Sequence, residues 1–445
     1  MRIASLSSKP LLRPIQLIFV IFLTISGGPY GLEPILQHVG GTAALMMLFV
    51  IPLLWDIPTI LTVLELNGMM PVNGGYYQWV KQALGMKWAF MEGWWTWLYT
   101  FVDLAIYPVL FVQYAGFFFP EIEAYKIPIC LAIIWSCAGL NILGILQVGR
   151  TSVVLGIILL APFVLLIAAG IFRYFSGIPA EHLIEVPTIP PTFTQVGLGM
   201  YTIMWNFIGW DNVTTYAQEV ERPVKTYLRS IIIAFIMILF FYVASVFIAA
   251  HSGIDPVVLS EEGFPALGTL IGGHWLGMLL SIGGMASALG LFMNVLLSVS
   301  RIPKVMADDH ILPAQLSAIH PQYGTPYVSI ILCAVVVSGM IVWSFGELLI
   351  IDVIVYGTGL FLEYISLIIL RRTMPDAHRP FRIPLGNPGL IIMTLIPFSC
   401  FAVALIAALS DSGYSLLPVL FALSAILTAP AAWLLLKKRI VTSVK

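Results

Sequence analysis

The chain has 445 residues, of which 60% are hydrophobic and 10% charged. A soluble domain carries about 25% charged residues, so this is an integral membrane protein, and its net charge of −1 offers nothing to nucleic acid. Cys130, Cys137, Cys333 and Cys400 all lie inside apolar runs without metal-ligand spacing and read as packing residues.

A membrane span needs about 20 apolar residues. Twelve fit in chain order: 15–38, 43–66, 88–118, 128–146, 151–172, 194–218, 228–250, 266–300, 326–346, 348–370, 388–410 and 414–436. The first follows Arg2, Lys9 and Arg13 and has no small-residue cleavage site, so it reads as a span and not a signal peptide. It is interrupted at Ser26-Gly-Gly-Pro-Tyr-Gly-Leu-Glu33. The third and eighth are long enough to tilt or to run past the membrane. The sixth is interrupted at Trp205-Asn-Phe-Ile-Gly-Trp-Asp211. Broken helices at membrane depth survive only where they line a protein cavity, and in transporters they mark the substrate site.

With the N-terminus in the cytoplasm, 19 of the 21 Lys and Arg residues fall on cytoplasmic segments, Lys126 and Arg173 being the exceptions. That asymmetry supports the span count and places both termini inside. Spans one and six hold equivalent positions if 14–173 and 194–371 are two inverted repeats, followed by extra helices over 388–436. The expected organisation is one transmembrane domain over 1–437 and a short tail over 438–445.

Eight acids fall inside the spans: Glu33, Asp56, Glu65, Glu92, Asp103, Asp211, Asp352 and Glu363. Each buried charge costs at least about 2.5–3.5 kcal/mol on insertion scales. With no basic partner in sight they must be protonated, solvated, bonded to backbone or paired with a bound cation. Glu65 and Glu92 lie near cytoplasmic span ends, where a structural or gating role bonded to loop backbone suffices. Backbone groups freed at Pro58 offer the same bland explanation for Asp56. Asp352 and Glu363 flank Tyr356 and fit either reading. Glu33, Asp103 and Asp211 point to function, because two flank helix breaks and the third sits mid-span. Trp94, Trp95 and Trp97 read as interfacial anchors or packing. Trp205, Phe207 and Trp210 cluster at a break, where an aromatic face can hold an ammonium group by a cation–π attraction of about 0.5–2 kcal/mol; ordinary packing is the alternative. His251 and His274 lack metal-ligand spacing, and no nucleophile–base set appears, so no enzyme, metal or cofactor is expected.

Several segments together resemble the amino acid–polyamine–organocation transporter superfamily, and within it the polyamine:proton symporter-like branch that includes the plant polyamine uptake transporters. They are Ser26 to Glu33, Glu65-Leu-Asn-Gly-Met-Met-Pro-Val-Asn-Gly-Gly-Tyr76, Asp103 to Phe111, Trp205 to Asp211 with Glu219-Val-Glu-Arg-Pro, and Ser300-Arg-Ile-Pro-Lys-Val-Met-Ala-Asp-Asp309 with His320 and Thr325-Pro. The resemblance implies an all-α polytopic fold of twelve helices, a LeuT-like five-plus-five inverted repeat with helices one and six broken. It places the site between helices one, three, six, eight and ten. Relatives that carry polyamines or agmatine have a helix-six Trp and an acid six residues later, a spacing matched by Trp205 and Asp211.

Two departures refine this. Amino-acid carriers hold the substrate carboxylate on helix-one amides, whereas Pro29 has no N–H and Glu33 would repel a carboxylate; amides remain at Gly27 and Gly28. The Lys that some relatives carry in helix five is missing from 151–172, which leaves carboxylates as proton carriers. The expected substrate site is Ser26, Gly27, Gly28, Tyr30, Glu33, Asp103, Tyr107, Trp205, Asn206, Phe207, Gly209, Trp210, Asp211 and Tyr356, with Glu33, Asp103 and Asp211 as proton-coupling candidates. The expected partners are a small cationic organic substrate, protons and the lipid bilayer of the cell membrane, for a monomer or homodimer. The alternative is a carrier of cationic or neutral amino acids.

Overall fold

The computed structural model describes residues 11–176, 190–341, 345–410 and 417–443. Arg2, Lys9 and Lys445, residues 342–344 of the ninth expected span and 414–416 of the twelfth lie outside them, as do the side chains of the 438–445 tail. Among the described residues the regular elements are helices, and nine of them are long and apolar enough to cross a membrane. The protein is a multi-pass membrane protein.

The first span is two helices, α1 (Pro14–Ile25) and α2 (Ile35–Val39), and a second span follows at once as α3 (Gly41–Met69). A short α4 (Gly75–Leu84) leads into α5 (Met86–Ala115), then α6 (Lys126–Ile142) and α7 (Ile145–Phe175). The sixth span is helical only over α8 (Phe193–Trp205); after the break the chain makes short 3-10 turns at Asn212–Thr214 and Ala217–Glu219. Next come α9 (Pro223–His251), two short helices α10 (Pro256–Glu262) and α11 (Phe264–Gly272), and α12 (His274–Val299) with α13 (Arg301–Asp308). The chain ends with α14 (Tyr327–Met340), α15 (Phe345–Thr373), α16 (Asn387–Leu409) and α17 (Leu417–Ser443).

One expected boundary is corrected. The apolar run 266–300 is not one helix: Gly273 takes φ +87 and separates α11 from α12. Hydropathy cannot see that break because both sides are apolar. It turns α11 into a layer over one side of the cavity described below.

The centre of the molecule is α5 packed against α12 and α15, with α12 also lying along α7 and α1 between α7 and α9. The core these helices share is dense in Trp and Tyr, including fully buried Tyr76, Tyr99, Tyr242 and Tyr364. Such rings bury large apolar area but each carries a hydroxyl that needs a partner. Two further buried tyrosines, Tyr114 and Tyr356, give theirs to the buried acids Glu33 and Asp211.

At the face rich in Lys and Arg, the chain closes on itself. Leu12 N–H donates to the Glu219 carbonyl at 2.9 Å and its own carbonyl accepts from Glu221 N–H at 3.0 Å. Arg301 grips the Glu219 carboxylate through two nitrogens at 3.2 Å each. Glu65 corrects the expectation of acids without basic partners. Its carboxylate takes Arg371 Nε at 2.7 Å and Arg379 Nε at 3.3 Å, and Ile383 N–H at 2.8 Å. Its structural reading stands, and the loop backbone supplies only one of its bonds.

Candidate functional site

Both helix breaks are built from residues that cannot continue a helix. After α1, Ser26 is extended, Gly28 takes φ +75, Pro29 supplies no N–H, and Gly31 takes φ +94. After α8, the N–H groups of Phe207 and Ile208 make only tight turns onto Met204 and Trp205, and Gly209 turns the chain at φ +106. The two breaks lie side by side and are tied together by one side chain. Tyr242 on α9 has its hydroxyl 2.7 Å from Ser26 Oγ and 2.9 Å from the Asn206 carbonyl, hydrogen-bonded to both.

A narrow cavity lies between the breaks and the α5–α12 pair. Its volume, measured as space for the centre of a water molecule, is about 20 Å³. That is room for about one water, so a larger occupant requires the walls to part. α5 contributes Asp103, Tyr107, Leu110 and Tyr114, an i, i+4, i+7, i+11 stripe that faces one way on a helix. α12 contributes Gly284, Ser287, Ala288 and Leu291, and the breaks contribute Gly27, Tyr30, Trp205 and Asn206. Among the described residues the lining holds one carboxyl group, Asp103, and no Lys, Arg or His. The Tyr107 hydroxyl and the Trp205 indole N–H both point at that carboxyl. α12 is small-residue-rich here for a steric reason: a Cβ on Gly284 would sit 2.5 Å from the Tyr114 ring.

One side of the cavity, opposite the Lys- and Arg-rich face, is roofed by rings. Tyr30 packs edge-on against Tyr114 at 4.9 Å and Phe163 at 5.0 Å, and its hydroxyl donates to the Leu280 carbonyl. Glu33 belongs to this roof and does not line the cavity. Its carboxylate accepts from Gly31 N–H at 2.5 Å and Tyr114 hydroxyl at 2.9 Å, and it faces the N–H of Phe264 at the start of α11.

The other expected residues divide. Ser26, Gly28 and Gly209 shape the breaks. Phe207 and Trp210 turn away from the cavity: Phe207 packs against Tyr242 at 5.1 Å, and Trp210 against Phe235 at 5.9 Å. The Trp210 N–H donates to Asp56 Oδ1 at 3.2 Å, so an indole from the sixth span, and not backbone freed by Pro58, meets that acid. Asp211 lies below the cavity, where Tyr356 donates to its Oδ1 at 3.0 Å. Asn212 joins the two levels, since it lines the cavity and donates through Nδ2 to the Tyr99 hydroxyl at 2.7 Å.

Tyr114, Asn212, Ser287 and the bridging Tyr242 were not anticipated from sequence. Tyr114 had a signal, because it continues the helical stripe begun by Asp103 and Tyr107. Tyr242 had none: a Tyr in an apolar helix gives no hint of what it spans.

The amides of the first break are largely occupied. Ser26 N–H donates to Phe22, Gly28 N–H to Ser26 Oγ at 3.0 Å, Gly31 N–H to Glu33 and Leu32 N–H to the Pro29 carbonyl. Gly28 therefore does not offer the amide expected of it.

Residues 12–429 match the family model for amino acid permeases. The chain is 33% identical over 391 residues to the polyamine transporter RMV1 of Arabidopsis thaliana, covering 86% of this chain and 78% of the relative. It is 33% identical over 405 residues to the polyamine transporter PUT1 of Oryza sativa subsp. japonica, covering 90% and 74%. A more distant similarity, 22% over 392 residues and covering 84% and 86%, is to the serine/threonine exchanger SteT of Bacillus subtilis.

Proposed function

The chain belongs to the amino acid permease family of the amino acid–polyamine–organocation superfamily, and from that premise and the geometry of the cavity we propose that it takes up a cationic amine, a polyamine such as putrescine or spermidine or the related agmatine, by alternating access coupled to protons. The observation that carries this is the cavity lining: among the described residues, one carboxyl group, four aromatic side chains and no basic group. An alkylammonium group satisfies Asp103 as a charge-assisted partner, and Tyr30, Tyr107, Tyr114 and Trp205 offer the apolar and cation–π wall for its methylene chain. The names of the plant relatives favour the same substrate class.

The proposed cycle follows from what holds the cavity shut. The roof of Tyr30, Glu33 and α11 closes one side, and the Leu12 strap with Arg301–Glu219 closes the other. Opening either while keeping the other gives access from one face at a time. Pairing of α3 with α9, α5 with α12, and α6 with α14 supports the five-plus-five inverted repeat, because each pair joins a span to the one five places later. Together with the distribution of Lys and Arg, this favours a cell-membrane protein with both termini in the cytoplasm. An inside-negative potential then adds about 2.3 kcal/mol per charge per 100 mV to inward movement of a cation.

The amino-acid reading has the exchanger similarity in its favour. Against it stands the first break, whose amides at Ser26, Gly28, Gly31 and Leu32 already have acceptors. The deciding experiment is thermal stabilisation of the purified protein by putrescine, spermidine, agmatine, arginine, lysine, leucine and alanine, since ligands that bind the folded state raise its melting point. Stabilisation by the carboxylate-free amines, lost in Asp103→Asn, is the expected result. Stabilisation by amino acids alone would overturn it.

A further inference from the structure

Below the cavity, on the side of the Arg301–Glu219 closure, three acids from three separate elements come together, with no basic partner among the described residues. Asp211 follows the break after α8, Glu92 is on α5, and Glu363 is on α15; they are 2%, 1% and 0% exposed. The carboxyl groups of Asp211 and Glu363 face each other as immediate neighbours. Glu92 is their immediate electrostatic neighbour and accepts from the Thr96 hydroxyl at 3.3 Å. α15 comes this close to Glu92 because residue 359 is glycine: a Cβ there would lie 2.9 Å from Glu92 Oε1. Glu363 stands four residues further along the same helix face.

Two ionised carboxylates have four acceptor oxygens and no donor between them. Their approach is favourable only when one is protonated and donates to the other. Independent of the acids, the Tyr76 hydroxyl from α4 is fully buried and faces all three, with Thr96 as its hydrogen-bonding neighbour. Glu92 Oε2 and both Glu363 oxygens are without a conventional donor. The remaining groups that face the cluster are Tyr99 on α5 and Tyr356 and Tyr364 on α15; Asp352 lies further up α15, toward Asp103. No Lys, Arg or His is among these neighbours, and among the described residues no group of acids, His or Cys has metal-binding geometry. The ligand that fits between two facing carboxyl groups is a proton.

We propose that Asp211, Glu363 and Glu92 form a buried proton-binding site whose loading is linked to the cavity through Tyr356, Tyr99 and Asn212. The link is continuous: Tyr356 hydroxyl to Asp211 at 3.0 Å, Tyr356 ring against Tyr99 ring at 5.2 Å, and Tyr99 hydroxyl to the cavity-lining Asn212 at 2.7 Å. A proton enters from water on one face, is held as O–H···O⁻ between Asp211 and Glu363, and returns to water on the other face; the amine crosses as its own conjugate acid and exchanges no proton with the site. Opening the Arg301–Glu219 side would wet the cluster and release the proton. This rests on the amine-transport reading above and names the coupling site for it.

The test uses Glu363→Gln and, as a second variant, Glu92→Gln, in the full chain reconstituted in liposomes. Three quantities are read: stabilisation by putrescine, putrescine counterflow without gradients, and accumulation driven by an imposed pH gradient with the voltage clamped at zero. The expected result is binding and counterflow near wild type in at least one variant, with the stimulation by the pH gradient reduced from several-fold to none. Gradient-driven accumulation at the wild-type level in a folded variant overturns the proposal. Should the wild type respond to amino acids and not to putrescine, the functional reading fails separately, and the same three measurements with that amino acid still decide the proton site.

Discussion

Tyr242 holds its hydroxyl 2.7 Å from Ser26 Oγ, on a break that lies 216 residues away in sequence. The same hydroxyl meets the Asn206 carbonyl of the second break, so one atom on α9 fixes the spacing of the two segments that frame the cavity. In Tyr242→Phe a buried carbonyl and a buried hydroxyl each lose a partner, which costs about 1–3 kcal/mol. The expected outcome is a lower melting point without ligand and slower counterflow, with the putrescine-induced rise in melting point retained. Differential scanning fluorimetry and a counterflow assay check it; unchanged stability would mean that the breaks hold their spacing without this hydroxyl.

Glu65 is the acid whose role is architectural. Its carboxylate is 0% exposed and pairs with both Arg371 and Arg379, whose side chains are 4% and 5% exposed. Removing one partner of a buried ion pair leaves charge without compensation and costs about 3–5 kcal/mol. Glu65→Gln is therefore expected to lower yield and melting point far more than Asp103→Asn does. Whatever protein survives should keep its ligand preferences, which a thermal-shift panel on the folded fraction would show.

Much of this architecture was legible in the sequence for identifiable reasons. Ser26-Gly-Gly-Pro and Ile208-Gly-Trp announce helix breaks because Gly and Pro act locally. The stripe from Asp103 to Tyr114 is legible because helical spacing alone aligns it. Contacts between distant segments were not. Asp211 and Tyr356 are 145 residues apart in sequence, and Glu65 meets basic residues that lie beyond the tenth span. Glu33 looked like a binding acid because it follows a break, yet the bend at Gly31 turns its carboxylate back onto the break's own N–H and onto Tyr114. Trp210 stands one residue before Asp211 but turns toward Asp56, a direction that periodicity cannot assign once the helix has ended.

Gly209 tests backbone strain apart from steric clash. It takes φ +106, where an L side chain is strained, but the atom nearest a Cβ would be Asn212 Nδ2 at 3.4 Å, an ordinary contact. Gly209→Ala should thus destabilise by about 1–3 kcal/mol through conformation alone. Gly284→Ala has the opposite cause, because its Cβ would meet the Tyr114 ring at 2.5 Å. It should weaken putrescine stabilisation more than it lowers the ligand-free melting point, since the ring it displaces is both cavity wall and Glu33 partner. If both variants behave alike in the two measurements, the distinction between strain and wall displacement is wrong.

Trp205 combines two contributions that substitution can separate. Its indole N–H points at Asp103, and its face walls the cavity. Trp205→Phe keeps a ring and loses the donor; Trp205→Ala loses both. For an alkylammonium ligand the ring face is worth about 0.5–2 kcal/mol, so Trp205→Ala should bind putrescine roughly tenfold more weakly or worse, each tenfold being about 1.4 kcal/mol, with Trp205→Phe in between. Because the indole and the carboxylate touch, the effects should not add. In Trp205→Ala/Asp103→Asn the combined loss should fall short of the sum of the single losses, as contacting residues that act on one ligand group do. Isothermal titration of the four proteins with putrescine measures that coupling. Strict additivity would mean that Trp205 and Asp103 hold different parts of the ligand, and that the ammonium does not sit between them.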